Sequence, residues 1–454
     1  MKIHLIAIGG SIMHNLAICL QKAGHNVTGS DDEIYEPARS RLAECSLLPK
    51  KMGWNPEVVS SDIELVILGM HAKENNPELI RAKELRIPIV SFPEYIGQHA
   101  KNQKRVVVAG SHGKTTTTSM ILHVLKYHNV DFDYLVGAQL KGFDTMVRLS
   151  DAPLIVIEGD EYLSSSIDRI PKIWHYHPHL TIVTGVAWDH MNVFPTLESY
   201  HQAFEKYFES LPDSAKVFYA SDDPFLAEVL PSKKAIDAQP YRPFDFSVID
   251  GQCVIRIGAR EVPLKVFGEH NMANLRGAYL VLRELNISED QFVEAIRTFE
   301  GAAKRLQLKR YEKSHLIYQD FAHAPSKVKA TVKAMKDQYP DRKLTACVEL
   351  HTYSSLSRDF LPQYRGAMGA ADQAIVFFSE HTLEMKGMPL LEKKTIREAF
   401  GREDLLVFSK REELKEFLEN VESWENHNLL LMTSGTFEGL DIEALKTLPG
   451  QPFQ

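Results

Sequence analysis

Only four cysteines occur in 454 residues, Cys19, Cys45, Cys253 and Cys347, and no two form a C-x-x-C pair. Their spacing argues against a disulfide framework or a zinc knot and makes a reducing compartment the expectation. No apolar run approaches the ~18 residues that a membrane-spanning helix needs. The opening "MKIHLIAIGG" reaches its glycines after about six apolar residues, and no A-x-A-like cleavage site follows. Neither sign of charge dominates. With 52 basic and 60 acidic residues the net charge is -8, so the whole chain has no attraction for nucleic acid or anionic lipid. Internal repeats and low-complexity tracts are missing, and the lack of an N-K-x-D segment gives no support to a guanine-specific switch protein. A cytoplasmic globular protein with no nucleic-acid and no membrane partner is the expectation.

What is present is an alternation of short apolar runs and helical patterns. "IHLIAI" (3–8), "HNVTGSD" (25–31), "LVILG" (65–69) and "IPIVS" (87–91) read as strands, with a helix over 12–23 after the first. Strands separated by helices imply βαβ units and a mostly parallel sheet. The polar stretch "GQHAKNQK" (97–104) leads into a second series, "VVVAG", "APLIVIEGDE", "HLTIVTG" and "KVFYASDD". Residues 244–268 then alternate apolar and polar around Asp250-Gly251, which predicts antiparallel hairpins packed on one side of that domain. Helices over 270–285 and 289–299 follow. A third strand–helix series starts near Lys304 with "LIYQDF", a helix over 325–338, "LTACVEL", "AIVFFS", "LLVFS" and "NLLLMTS". The fold class is α/β in three domains, 1–103, 104–303 and 304–454, a number that suits the length.

The stretch "RVVVAGSHGKTTTTSM" (105–120) carries the clearest chemistry. Phosphate binding needs N–H groups lining a concavity, a helix N-terminus behind them and a cation within reach. Gly110 and Gly113 permit the turn around Ser111 and His112, Lys114 supplies the charge, and Thr115 can place a hydroxyl on Mg²⁺ as Thr116 continues the helix. The common spacing G-x-x-x-x-G-K-[ST] would put a glycine where Val108 stands. Here that glycine is displaced to Gly110. The GKT triplet alone leaves a plain strand–helix turn open, but the apolar strand before it and the unbroken helix after it favour a nucleotide loop.

Such a loop calls for an acidic residue at a neighbouring strand end to hold the metal. "LIVIEGDE" offers Glu158, Asp160 and Glu161 at the carboxyl end of an apolar run, where ligands sit in open α/β sheets. "VTGVAWDHMNVF" (183–194) then places Asp189 and His190 after another buried strand. A lone histidine is more often structural than a ligand. Thr115, Glu158 and His190 at successive strand ends can nonetheless converge on one magnesium–nucleotide site. In "WHYHPH", His175, His177 and His179 alternate, yet Pro178 disrupts the strand face and no fourth ligand is evident, so packing or surface roles are expected.

The order GSHGKTT, E-G-D-E, D-H-M-N, "GEHNMANLRGA" (268–278), "GAAKRLQ" (301–307) and "DFAHAPSKV" (320–328) resembles the Mur ligase family over essentially the whole chain. The resemblance implies an ADP-forming amide ligase of cell-wall precursor synthesis. It implies a Rossmann-like UDP-binding domain, a central P-loop ATPase-type domain with a mostly parallel sheet, and a Rossmann-like C-terminal domain for the amine substrate. In that family the shortened phosphate loop is the rule. The resemblance assigns the ATP phosphates to Lys114 within the loop Gly110–Thr116, a first Mg²⁺ to Thr115 and Glu158, and a second to Glu158 with His190. Asn271 would contact the nucleotide, Arg305 would reach the γ-phosphate, and Asp320 and His323 would face the nucleotide, His323 being a candidate base for the amine. Phe204 stands where some members carry a carbamylated lysine.

The N-terminal stretch "AIGGSIMHNLA" (7–17) resembles the family's UDP loop, with Gly9, Gly10, Ser11, Ile12 and Met13 as contacts; Ile12 replaces a glycine and His14 a small residue. Ser30 and Asp31 end the second strand, where an acid can bind a ribose hydroxyl. "GMHAKENNPEL" (69–79) contributes His71 and Asn76. An NAD fingerprint or simple helix–strand packing is the alternative for Gly9-Gly10, and the broken G-x-G-x-x-G argues against NAD. Within the family, "IEGDEYLSSSIDRIPKIWHYHP", "DHMNVF" and "TSGTFEGL" (433–440) resemble members that join UDP-N-acetylmuramate to a ready-made peptide, L-alanyl-γ-D-glutamyl-meso-diaminopimelate, in peptidoglycan recycling. "VELHTYSS" (348–355) departs from them by placing His351 where an arginine is expected. Members that add L-alanine to the same carboxylate in peptidoglycan biosynthesis are the alternative. Outside the enzymes, a non-catalytic UDP-sugar- and ATP-binding regulator is the other reading.

Overall fold

A computed structural model describes residues 1–233, 235–249, 251–311, 315–421, 423–442 and 444–445. They fall into two compact units, one of 1–186, 197–242 and 277–292, the other of 187–196, 243–276 and 293–454.

The first unit holds two sheets. Strands β1 (Lys2–Ile6), β2 (Asn26–Ser30), β3 (Leu65–Leu68) and β4 (Ile89–Ser91) run parallel in the order β2-β1-β3-β4. A parallel sheet covered on both faces wants continuous apolar runs. The central strands supply them, for Ile3, Leu5, Ile6, Val66, Ile67 and Leu68 are 0% exposed. The second sheet comprises β5 (Lys104–Ala109), β6 (Asp133–Leu135), β7 (Val147–Arg148), β8 (Leu154–Glu158), β9 (Leu180–Val183), β10 (Lys216–Ala220) and β11 (Asp237–Tyr241). Its order is β11-β10-β9-β5-β8-β6-β7, parallel except for the β6–β7 pair. In register, Val108 of β5 stands beside Glu158 of β8, and Ala109 beside Val183 of β9. Three loops therefore leave one edge of this sheet side by side. The two layers of the unit are locked by specific contacts: Asn15 Oδ1 accepts from Met146 N at 3.0 Å, and Gly97 lies so close to the His175 carbonyl that a Cβ would sit 2.3 Å from its oxygen.

The second unit also holds two sheets. Strands β12 (Phe246–Ile249), β13 (Gln252–Ile257) and β14 (Arg260–Leu264) form an antiparallel meander. These are the hairpins expected from the alternating pattern, and their residues belong to the same compact unit as the C-terminal segment. Within that unit Gln338 Nε2 donates to Gly251 O at 2.7 Å. The turn residue Asp250 lies outside the described residues. The larger sheet, β15 (Gln307–Tyr311), β16 (His315–Asp320), β17 (Lys343–Leu350), β18 (Gln373–Phe378), β19 (Leu406–Phe408) and β20 (His427–Met432), runs β15-β16-β20-β17-β18-β19, with only β15 antiparallel to its neighbour. Ile317, Cys347, Ile375, Phe377, Leu429 and Leu431 pack with Leu414, Leu418 and Trp424 as its core.

Candidate active site

The chain leaves β5 at Ala109 and turns through Gly110 and Gly113 into the helix Lys114–Tyr127. Both glycines have positive φ, 121° and 76°, and a Cβ on Gly110 would lie 2.5 Å from Thr184 Oγ1. Glycine adopts such a conformation at little cost and lets another backbone approach. The loop is braced by the end of β9, where Ser111 N donates to Gly185 O at 2.8 Å and Thr184 N to Ala109 O at 3.0 Å. Val108 is fully buried and paired inside β5. The position that lacks a glycine therefore belongs to the strand, and Gly110 does the turning.

Lys114 Nζ donates to Glu161 Oε2 at 2.6 Å and to Gly110 O at 2.5 Å. Burial by itself would lower the Lys114 pKa, but Glu161, Asp160 and Glu158 outweigh it and raise the pKa above its ordinary value. Thr115 Oγ1 donates to Glu158 Oε1 at 2.7 Å, and Glu158 Oε2 accepts from Gly137 N at 2.7 Å. Asp160 pairs with Lys172 at 2.5 Å. Mg²⁺ takes oxygen ligands, commonly one or two carboxylates together with substrate phosphates. A threonine hydroxyl and a carboxylate one hydrogen bond apart beside a phosphate loop fit that requirement. Among the described residues no group of three or more His, Cys, Asp or Glu forms a self-sufficient metal cluster.

Two residues that the sequence reading did not single out for this role complete the arrangement. Glu161 Oε1 accepts from Tyr200 OH at 2.9 Å, and Tyr200 OH lies 2.7 Å from Ser111 Oγ. Tyr200 belongs to the helix Leu197–Glu209, whose buried face is Tyr200, Phe204, Tyr207 and Phe208. In sequence that face reads as core, and nothing local separates the working hydroxyl of Tyr200 from the packing of Phe204.

The second unit carries the other expected residues. His190, with φ 57°, follows Asp189, whose Oδ1 accepts from His190 N at 2.8 Å and whose Oδ2 lies 3.5 Å from Lys327 Nζ. The Arg305 guanidinium stacks over Phe321 at 4.5 Å. Asp320 caps this turn, accepting from Leu306 N at 2.7 Å and Ala322 N at 2.6 Å. His323 Nδ1 meets Phe321 O at 2.9 Å, which makes Nδ1 the donor and leaves Nε2 as the acceptor. Burial, then the Lys327 ammonium, hold its pKa at about 4, so the ring is neutral at pH 7. Asn271 is buried and donates through Nδ2 to Phe267 O at 2.8 Å. Arg305, Asp320 and His323 are thus joined through 304–323, while Lys327 ties them to Asp189 and His190.

The residues expected to bind UDP divide. A cavity of about 800 Å³ in the first unit is lined by Gly9, Ser11, His14, Tyr35, Arg41 and Gln139, among others, whereas Gly10, Ile12, Met13, Ser30, Asp31, His71 and Asn76 do not line it. Asp31 braces the loop: its Oδ2 accepts from Gly9 N at 2.7 Å, and burial, then Asp32, push its carboxyl up to about 6. Asn76 caps the helix Pro77–Glu84, accepting from Glu78 N and Leu79 N. His71 is exposed. Arg41, which donates to Gln139 Oε1 at 3.1 Å, was not foreseen. The histidines of "WHYHPH" take separate partners, with His175 2.7 Å from Asp168 Oδ2 and His179 Nδ1 accepting from Arg105 N.

A mostly parallel α/β body with a G-x-x-G-K-T loop beside an acidic strand end defines a P-loop nucleotide-dependent enzyme. Residues 2–104 match the family described as "Mur ligase family, catalytic domain" and residues 108–282 the "Mur ligase middle domain". A UDP-N-acetylmuramate–L-alanine ligase of Clostridium kluyveri is 30% identical over 375 residues, 79% of this chain and 80% of that protein. A UDP-N-acetylmuramate–L-alanyl-γ-D-glutamyl-meso-2,6-diaminoheptandioate ligase of Haemophilus influenzae is 28% identical over 348 residues, 74% of this chain and 76% of that one. Among solved structures, a UDP-N-acetylmuramate-alanine ligase of Thermotoga maritima shares the fold with a TM-score of 0.71 at 22% identity, covering 97% of each chain. The chain belongs to the Mur ligase family and is an ATP-dependent ligase of that type. Among the described residues no helix is long and apolar enough to cross a membrane.

Proposed function

We propose that this ligase joins the lactyl carboxylate of UDP-N-acetylmuramate to the amino group of a peptide, L-alanyl-γ-D-glutamyl-meso-diaminopimelate, in the cytoplasm. The observation that carries the ligase chemistry is the loop in which Lys114 and the Thr115–Glu158 pair stand side by side at the ends of β5 and β8. The carboxylate oxygen attacks the γ-phosphorus of ATP, ADP leaves, and an acyl phosphate results. Lys114 is assigned to the phosphates and Arg305 to the transferring group. Mg²⁺ held by Thr115 and Glu158, with a second ion at Glu158 and His190, would offset phosphate charge. The peptide amine then attacks the acyl carbon and phosphate departs. His323 Nε2 is assigned to take the amine proton, for which its neutral ring is in the right state. We assign UDP-sugar recognition to residues 1–103, ATP to 104–303 and the amine substrate to 304–454.

The peptide reading rests on the segments 157–178, 189–194 and 433–440, the last anchored where Phe437 N donates to Glu349 Oε2 at 2.9 Å. L-alanine is the second reading, favoured by the 30% identity to an L-alanine-adding relative. Mass spectrometry of products from UDP-N-acetylmuramate, ATP and either the tripeptide or L-alanine separates the two. A tripeptide adduct supports the first reading; an alanine adduct alone selects the second. ATP hydrolysis with no ligated product would overturn both.

A further inference from the structure

Glu161 is the least expected member of the loop's surroundings. It is 1% exposed, and its two oxygens face different partners, Lys114 Nζ on Oε2 and Tyr200 OH on Oε1. Tyr200 is 0% exposed and has one hydroxyl hydrogen. Because that hydrogen goes to Glu161, the 2.7 Å contact with Ser111 is a hydrogen bond that Ser111 Oγ donates to Tyr200. The bonds form a ring: Ser111 to Tyr200, Tyr200 to Glu161, Lys114 to Glu161, and Lys114 back to Gly110, the residue before Ser111.

Resting on the reading of this loop as the ATP site, we propose that Glu161 and Tyr200 are positioning residues that aim Lys114 at the phosphoryl group and temper its charge. An ammonium has three donors. Two are committed to Glu161 Oε2 and Gly110 O, so the direction of the third is fixed. The Tyr200 hydroxyl sets the carboxylate rotamer, and the Leu197–Glu209 helix sets Tyr200 through its packed face. The carboxylate 2.6 Å from Nζ also weakens the pull of Lys114 on a polyphosphate at rest. Binding energy withheld from the ground state and realised as charge moves in the transition state raises turnover rather than affinity.

The test measures ADP·Mg²⁺ affinity by calorimetry and steady-state ADP release for wild type, Glu161→Gln and Tyr200→Phe, with thermal unfolding of each. Glu161→Gln is expected to bind ADP about 3- to 10-fold more tightly while kcat falls at least about 10-fold, a split in opposite directions that a merely structural role does not produce. Tyr200→Phe keeps the ring in its packed face and is expected to lower kcat about 10-fold with KM for ATP within about 2-fold of wild type. Weaker ADP binding in Glu161→Gln at unchanged kcat, or wild-type kcat in Tyr200→Phe, would overturn the inference alone. If Glu161→Gln fails to fold, Tyr200→Phe decides the matter. Failure of the wild-type chain to bind ADP at all would overturn the loop assignment and the inference with it.

Discussion

The Thr115 hydroxyl donates to Glu158 Oε1 at 2.7 Å, across from the neighbouring strand β8, while Gly137 N holds the other oxygen of the same carboxylate. Thr115 comes from the first turn of a helix and Glu158 from the end of a strand, so the pair exists only because β5 and β8 are neighbours in register. If these two oxygens hold Mg²⁺, Glu158→Gln raises the Mg²⁺ concentration for half-maximal ADP release by about 10-fold or more, the loss expected when a charged ligand becomes neutral. Thr115→Ala moves it in the same direction. A Mg²⁺ titration that superimposes on wild type would remove Glu158 from the metal site.

Lys114→Ala is expected to lower ligation by on the order of 10²- to 10³-fold, the scale for deleting one preorganised group that stabilises developing charge. Binding of UDP-N-acetylmuramate, followed by calorimetry, should persist. Loss of both would show that the loop supports more of the molecule than the phosphate site.

His323 gives stability a pH dependence whose sign follows from its depressed pKa. The folded value is about 4 against an ordinary 6.5, so between them the unfolded chain binds more protons. Stability from this group is therefore complete above pH 6.5 and falls as pH drops toward 4, with a slope of at most about 1.4 kcal/mol per pH unit. His323→Gln should flatten that acid limb. Thermal midpoints at pH 7, 6 and 5 test it, and parallel declines in wild type and variant would contradict the assignment.

Two glycines with positive φ separate strain from contact. Gly24, at φ 88°, has no atom within 4 Å of a Cβ, whereas a Cβ on Gly110 would meet Thr184 Oγ1 at 2.5 Å. Gly24→Ala should cost about 1–2 kcal/mol from backbone strain alone. Gly110→Ala should cost more and should also impair ADP binding. Equal unfolding midpoints for the two variants would argue against the tight loop–β9 contact.

Phe204 is 0% exposed on the buried face of its helix, between Tyr200 and Phe208. Phe204→Ala should cost about 3–5 kcal/mol, as deletion of a fully buried aromatic does. Lys206, two positions on, is exposed, and Lys206→Ala should stay within about 0.5 kcal/mol of wild type. Urea unfolding of both variants gives the comparison.

The long apolar strands were legible in the sequence because a strand buried on both faces has to be apolar along its length. β8 and β9 lie within the runs so read, and β5, β17 and β18 overlap them but begin one or two residues earlier. Short edge strands were not. β11 contains Pro240 and faces solvent for most of its length, so neither composition nor alternation marks it; it exists because β10 offers a partner. β7 has two residues, too few for any period. The hairpins of β12–β14 were legible as hairpins, because alternation is local, but the bond that Gln338 donates to Gly251 O, from 87 residues further on, was not.

The site divides in the same way. The sequence by itself determined the phosphate loop, since strand, glycines, lysine and threonine are consecutive and their conformational preferences act locally. It also determined which acidic residues were available, Glu158, Asp160 and Glu161, within four consecutive positions. Only the tertiary structure decided how they are used: Glu158 on Thr115, Asp160 on Lys172, and Glu161 between Lys114 and Tyr200. The physical reason is that a carboxylate's role is set by the cation or hydroxyl it meets. Those partners arrive on a helix from β5, a turn at Lys172 and the Leu197–Glu209 helix, from distances along the chain that no local pattern spans.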